Sequence, residues 1–138
     1  MRRLFFSLAA AAVATVAIPH QAPAQAVAPV IARDLPNIPG MRITAVTVSY
    51  GPGQASSSHR HAENGFLIVN VLQGAIVSQV EGEPEKTYTA GQSWSEGSAA
   101  HHLTSRNASQ SERASMLVVF VAPKDATLTT PDPVKMPP

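Results

Sequence analysis

"HRHAENGFLIVNVLQG", running from His59 to Gly74, sets the reading of the whole chain. His59 and His61 are two positions apart, and on a strand such residues point to the same face. Phe66 to Leu72 is apolar and rich in β-branched residues, which is strand composition, and Gly74 turns it. A histidine pair therefore stands directly before a strong strand.

Outward from this stretch the same pattern repeats. Met41 to Tyr50, "MRITAVTVSY", is β-branched and alternating, and Gly51-Pro52-Gly53 breaks it. Beyond Gly74, Ala75 to Val80 reads as a third strand and "EGEPEK" as a charged hairpin loop. Thr87–Thr89 and Gln92–Glu96 read as short strands, with Trp94 as a packing anchor. Ser115 to Ala122, "SMLVVFVA", reads as a central strand buried on both faces. Val69, Val71, Val119 and Val121 are the expected interior residues. No stretch after residue 26 has convincing helical periodicity. Short strands with turns at intervals of about 8–12 residues predict an all-β sandwich or barrel. The segments are too few and too short for a transmembrane barrel.

Residues 1–26 read as a signal peptide. Arg2 and Arg3 precede an apolar run from Leu4 to Ile18, and the small-x-small pattern of Ala24 and Ala26 follows. A periplasmic or secreted protein is expected. Residues 27–40, with Pro29, Pro36 and Pro39, read as an extended lead-in, 41–124 as a single barrel domain and 125–138 as a proline-rich loose tail. After residue 26, eight basic residues face nine acidic ones, and no basic run occurs. Nucleic acid is therefore not an expected partner, nor is a membrane once the signal is cleaved. The chain has no cysteine. Disulfides, thiolate metal sites and cysteine nucleophiles are excluded, and any metal must take imidazole or oxygen ligands.

Five histidines are present, and His20 lies in the leader. The other four form two pairs, His59-x-His61 and His101-His102. Two imidazoles on one strand face can meet one cation, and a third must come from the second pair. Neighbours on a strand face opposite sides, so only one of His101 and His102 should look inward. Three protein ligands leave positions open for water or substrate, as catalytic sites do. Ser56, Ser57 and Ser58 suggest a nucleophile only superficially, because no carboxylate is evidently placed to orient a base. Gln73 and Gln92 are candidate cavity residues, Asn107-Ala108-Ser109 fits a glycosylation sequon, and Glu63 is either a fourth ligand or a solvated loop charge.

These residues resemble the cupin superfamily, in particular small single-domain cupins of the type-2-like conserved barrel. The first cupin motif is glycine, five residues, His-x-His, three or four residues, glutamate, six residues, glycine. Gly53, His59, His61 and Gly74 match it. The second is glycine, five residues, Pro-x-Gly, two residues, histidine, three residues, asparagine. Gly91 matches its start, Gly97 fills the proline slot, Ala99 the glycine slot and His102 the histidine slot. The resemblance spans Ile43 to Ala122 and implies a double-stranded β-helix, the jelly-roll barrel.

Two departures stand out. Counting back from Gly74 puts the glutamate slot at Leu67, and counting forward from His61 puts it at Gly65 or Phe66, none of which can ligate through a side chain. Asn107 falls one residue late, behind Arg106. The motif count favours His102 as the third ligand, and a one-residue slip in the turn would exchange it for His101. The resemblance implies a divalent metal ion (Fe, Zn, Mn, Ni or Cu) held by His59, His61 and His102, a small-molecule ligand or substrate, and a homodimer paired through edge strands, for which Met41–Tyr50 is the candidate. The functions it implies are a dioxygenase-like metalloenzyme or a non-catalytic ligand- or metal-binding module with a degenerate site.

Overall fold

A computed structural model describes residues 25–133 of the chain. The expected leader, apart from its last two residues, and the last five residues of the tail lie outside the described residues. Ten strands follow one another: β1 (Ala26–Asp34), β2 (Met41–Tyr50), β3 (His59–His61), β4 (Phe66–Gln73), β5 (Ala75–Val80), β6 (Lys86–Thr89), β7 (Ser93–Glu96), β8 (His101–Asn107), β9 (Ala114–Pro123) and β10 (Thr129–Pro131). The described residues contain no helix. Two five-stranded antiparallel sheets run in the orders β1-β2-β9-β4-β7 and β10-β3-β8-β5-β6. Their inner faces enclose a core in which Val48, Tyr50, Leu67, Val69, Val71, Met116, Val118 and Phe120 from the first sheet meet Ile76 from the second. This is the all-β double-stranded β-helix.

Strict alternation along β9 decides which residues are inside. Ala114, Met116, Val118, Phe120 and Ala122 are buried, while Leu117, Val119 and Val121 face out and are half-buried. Val69 and Val71 line the interior as expected, but Val119 and Val121 do not. An unbroken apolar run hides the period of two, so which of its residues face inward could not be read from it.

Among the described residues, parts of the lead-in and of the tail form strands that their composition does not predict. The lead-in forms β1, which pairs along β2 from Ala26↔Ser49 to Asp34↔Arg42 with an irregularity between Pro29 and Ile31. Proline is tolerated there because β1 is the outermost strand. Met41–Tyr50 is consequently not an edge strand; it lies between β1 and β9. In the tail, Thr129–Pro131 pairs with β3.

Gly74 turns β4 into β5 with φ +70°, and a Cβ there would lie 2.7 Å from the Arg113 carbonyl oxygen. Both the left-handed backbone and the close approach require glycine.

Candidate metal centre

β3 is short but held on both sides. It pairs with β8, which sets His59 opposite His102, and with β10, which sets Thr129 opposite His61. His59 and His61 share its inner face. The turn from β7 into β8 then decides which histidine of the second pair joins them. Ala99 adopts φ +55° in that turn, and its N–H donates to the Ala62 carbonyl at 3.1 Å. The resemblance puts a glycine at this position, and here an alanine takes the same left-handed conformation. His102 faces inward and is 4% exposed.

His101 faces the other way. Its Nε2 lies 2.7 Å from Asp132 Oδ2 and 3.2 Å from Ser58 Oγ, and the Ser58 hydroxyl donates to Asp132 at 2.6 Å. A carboxylate is thus present beside Ser58. Serine and aspartate share one ring nitrogen, however, so the histidine cannot relay a proton between them as in a hydrolytic triad. The trio fastens the tail to the barrel instead.

The rings of His59 and His61 are 4.9 Å apart between centroids, those of His59 and His102 5.1 Å, and those of His61 and His102 6.0 Å. One nitrogen from each falls within 4.8 Å of the others. Two of the rings are oriented through their second nitrogen. His59 Nδ1 donates to the Ser57 carbonyl at 2.7 Å, and His61 Nδ1 donates to the Leu128 carbonyl at 3.3 Å. A carbonyl can only accept, so each Nδ1 carries the proton and each Nε2 presents a lone pair to the cavity. His102 Nε2 contacts the buried Ser78 hydroxyl at 2.9 Å, leaving Nδ1 toward the other rings. Burial lowers the His102 pKa to about 4, with Glu96 opposing and His59 and His61 reinforcing the shift. Burial likewise lowers the pKa of His59. Both are held neutral at ordinary pH, the form that binds metal.

Glu96, which the sequence reading left among ordinary strand residues, lies against two of these three histidines. Its Oε2 is 3.2 Å from His61 Nε2, and its Oε1 is 3.3 Å from His102 Nδ1. Trp94 Nε1–H donates to Oε1 at 2.9 Å, and its indole stacks on Tyr88. Burial pushes the Glu96 carboxyl up, but His61, His102 and the indole N–H outweigh it, and the group is held below the usual carboxylate range. A signal for it did exist. Trp94 read as an inward anchor makes Glu96, two residues on, inward as well.

The remaining candidates fall outside the group. Glu63 is exposed on the turn after β3, so it is a loop charge. Gln73 is exposed, and Gln92 accepts from the Thr89 N–H within its own turn at 2.8 Å. Asn107 is 1% exposed, and its amide donates to the carbonyls of Gly51 and Glu112, which leaves the sequon inaccessible.

The histidines open onto a cavity of about 410 Å³, walled by Val48, Val69, Met116, Val118 and Phe120 among others. Its volume and apolar walls suit a small, partly apolar molecule. Tyr50, bonded to Ser56 and at 3.0 Å to Ser105, adds hydroxyls to its lining.

A protein-family model described as a cupin domain matches residues 46–120. The chain belongs to the cupin family. Solved structures similar to this cupin include an oxalate oxidase in complex with the substrate analogue glycolate, at 20% identity and a TM-score of 0.57, covering 72% of this chain and 52% of that one. The DMSP lyase DddQ from Ruegeria pomeroyi is similar at 20% identity and a TM-score of 0.55, covering 64% of this chain and 42% of the lyase. TT1209 from Thermus thermophilus is similar at 28% identity and a TM-score of 0.54, covering 72% and 83%. The chain thus spans only about half the length of the oxidase. No curated protein sequence matches it.

Proposed function

We propose that this cupin is an exported protein that holds a divalent metal ion through His59, His61 and His102 and uses it to bind or convert a small molecule in the barrel. The observation that carries the reading is the convergence of three imidazole nitrogens within 4.8 Å, at the wall of an apolar cavity. Two of the three rings already donate their other N–H to a backbone carbonyl, the arrangement that orients metal-binding histidines. A redox metal in such a site supplies dioxygenase-like chemistry by binding O2 and substrate together, and zinc supplies Lewis-acid activation. The apolar walls exclude water and select the ligand, and Tyr50 offers a hydroxyl for orientation.

Leu67 in the motif's glutamate slot favours a second reading, a ligand- or metal-binding module without turnover. A homodimer belongs to either reading. It is supported by β1, an open edge strand exposing Val27, Val30 and Ile31, and sedimentation would measure it.

Metal analysis of the protein as isolated tests the proposal. Stoichiometric metal that disappears in the His59→Ala/His61→Ala double variant supports it, and failure to bind any of iron, zinc, manganese, nickel or copper refutes it. Oxygen uptake with flavonols, thiols or other phenols then separates enzyme from binder. The mass of the protein recovered outside the cytoplasm tests export.

A further inference from the structure

Glu96 Oε2 and His61 Nε2 face each other at 3.2 Å on side chains 0% and 8% exposed, and neither atom has a hydrogen-bond partner among the described residues. Because His61 Nδ1 carries the ring proton, Nε2 presents a lone pair. The carboxylate oxygen also presents lone pairs. Two buried acceptors in contact are costly unless a proton or a metal cation lies between them. The other oxygen of Glu96, which accepts from the Trp94 indole N–H, lies 3.3 Å from His102 Nδ1.

The spacing matches what one ion would impose. Nitrogen and oxygen ligands about 2.1 Å from a metal lie about 3.0 Å apart at a right angle and about 3.4 Å apart at the tetrahedral angle. The separation between Glu96 Oε2 and His61 Nε2 falls between these values. Strand register supplies a further observation. Glu96 on β7 is directly opposite Leu67 on β4, and both face inward at 3% and 2% exposure. Cβ atoms of such a pair lie about 4.5–5.5 Å apart, within the reach of a glutamate side chain. A carboxylate on either strand can therefore reach the same part of the cavity.

We propose that Glu96 is the fourth ligand of the metal centre, with its carboxylate supplied from β7 across the ladder from Leu67. This rests on the metal-binding reading above. The site is then three histidines and one carboxylate, and it takes borderline divalent ions such as Zn²⁺ or Fe²⁺. Trp94 fixes the carboxylate through Oε1 and leaves Oε2 for the ion.

The test uses zinc alone, with affinity read by competition against a chromophoric chelator. Native protein should bind one zinc. Glu96→Gln, nearly isosteric, should weaken binding at least about tenfold. The exchange Leu67→Glu/Glu96→Leu should recover most of that loss. An infrared difference spectrum of the native protein on zinc addition should show one carboxylate changing its stretching frequencies, a readout that requires no variant to fold. Two outcomes overturn the proposal while leaving the three-histidine site standing: zinc bound with no carboxylate band moved, or Glu96→Gln binding as tightly as native. Native protein that binds no zinc or other divalent ion overturns the metal reading, and this proposal with it.

Discussion

Metal-free protein, held in chelator, should lose stability on acidification before its carboxylates titrate. The cause is His102. Its imidazole ionises near about 6.5 in an unfolded chain but only near about 4 in the barrel, because burial disfavours the cation. A folded-state pKa below the unfolded one means that the fold prefers the neutral ring. The stabilisation is complete above about pH 6.5 and is lost as pH falls toward about 4. The full shift corresponds to about 3 kcal/mol, of which about 2 kcal/mol is lost between about pH 7.5 and about pH 5. His102 is only 4% exposed, so solvent screening reduces this little. His59 is shifted in the same direction by burial and adds to the loss. Glu96, held below its ordinary range, stays ionised in this window, and its own contribution disappears only at lower pH.

The assay is urea unfolding at several pH values in chelator, for native protein and His102→Gln. The native protein should fall by about 2 kcal/mol on going to about pH 5, and the variant should lack most of that fall. Added zinc should raise the native curve most near neutral pH and progressively less below it, since protons compete for the same nitrogens. A native curve that stays flat in chelator, or a variant with the native slope, refutes the reasoning.

Four substitutions probe the frame around the site. His102→Ala should abolish zinc binding in the competition assay, whereas His101→Ala should keep it, since His101 bonds Asp132 and Ser58 outside the cavity. Ala99→Gly should raise the urea-unfolding free energy by about 1 kcal/mol, because glycine adopts φ +55° without the Cβ clash. Gly74→Ala should lower it by at least about 2 kcal/mol, because the new methyl meets the Arg113 carbonyl at 2.7 Å in a left-handed backbone.

The strands were legible where alternation and turn residues spoke together. Ala75–Val80 is predicted to the residue, and Phe66–Leu72 to within one. His102 could be placed inward because the motif count reaches it through Ala99, where the backbone does what glycine would do. β1 was less legible, since Pro29 argues against a strand and only the edge position admits it. Of β8 only the histidine pair was read as strand: "HHLTSRN" is polar, and it is held by β3 and β5 rather than by its own propensity. Glu96 was missed for a different reason. Cupin spacing directed attention to the residues after His61, and a carboxylate across the ladder is invisible to counting along one strand.

The placement of these ligands ties metal binding to the fold itself. His59, His61 and His102 stand on β3 and β8 of one sheet, whereas Glu96 stands on β7, the last strand of the other. An ion held by the proposed four ligands would therefore join the two sheets. The tail acts on the same point from outside. β10 pairs with β3, the Leu128 carbonyl fixes the His61 ring, and Asp132 fastens the tail through His101 and Ser58. Each of these contacts restrains β3, a strand of only three residues between two neighbours. Without the tail, His61 would lose the acceptor that sets its tautomer, and either nitrogen could carry the proton. The tail and the leucine–glutamate ladder thus serve one end: they keep His61 Nε2 and Glu96 Oε2 aimed at each other across the gap between the sheets, an arrangement whose cost a bound metal cation would offset.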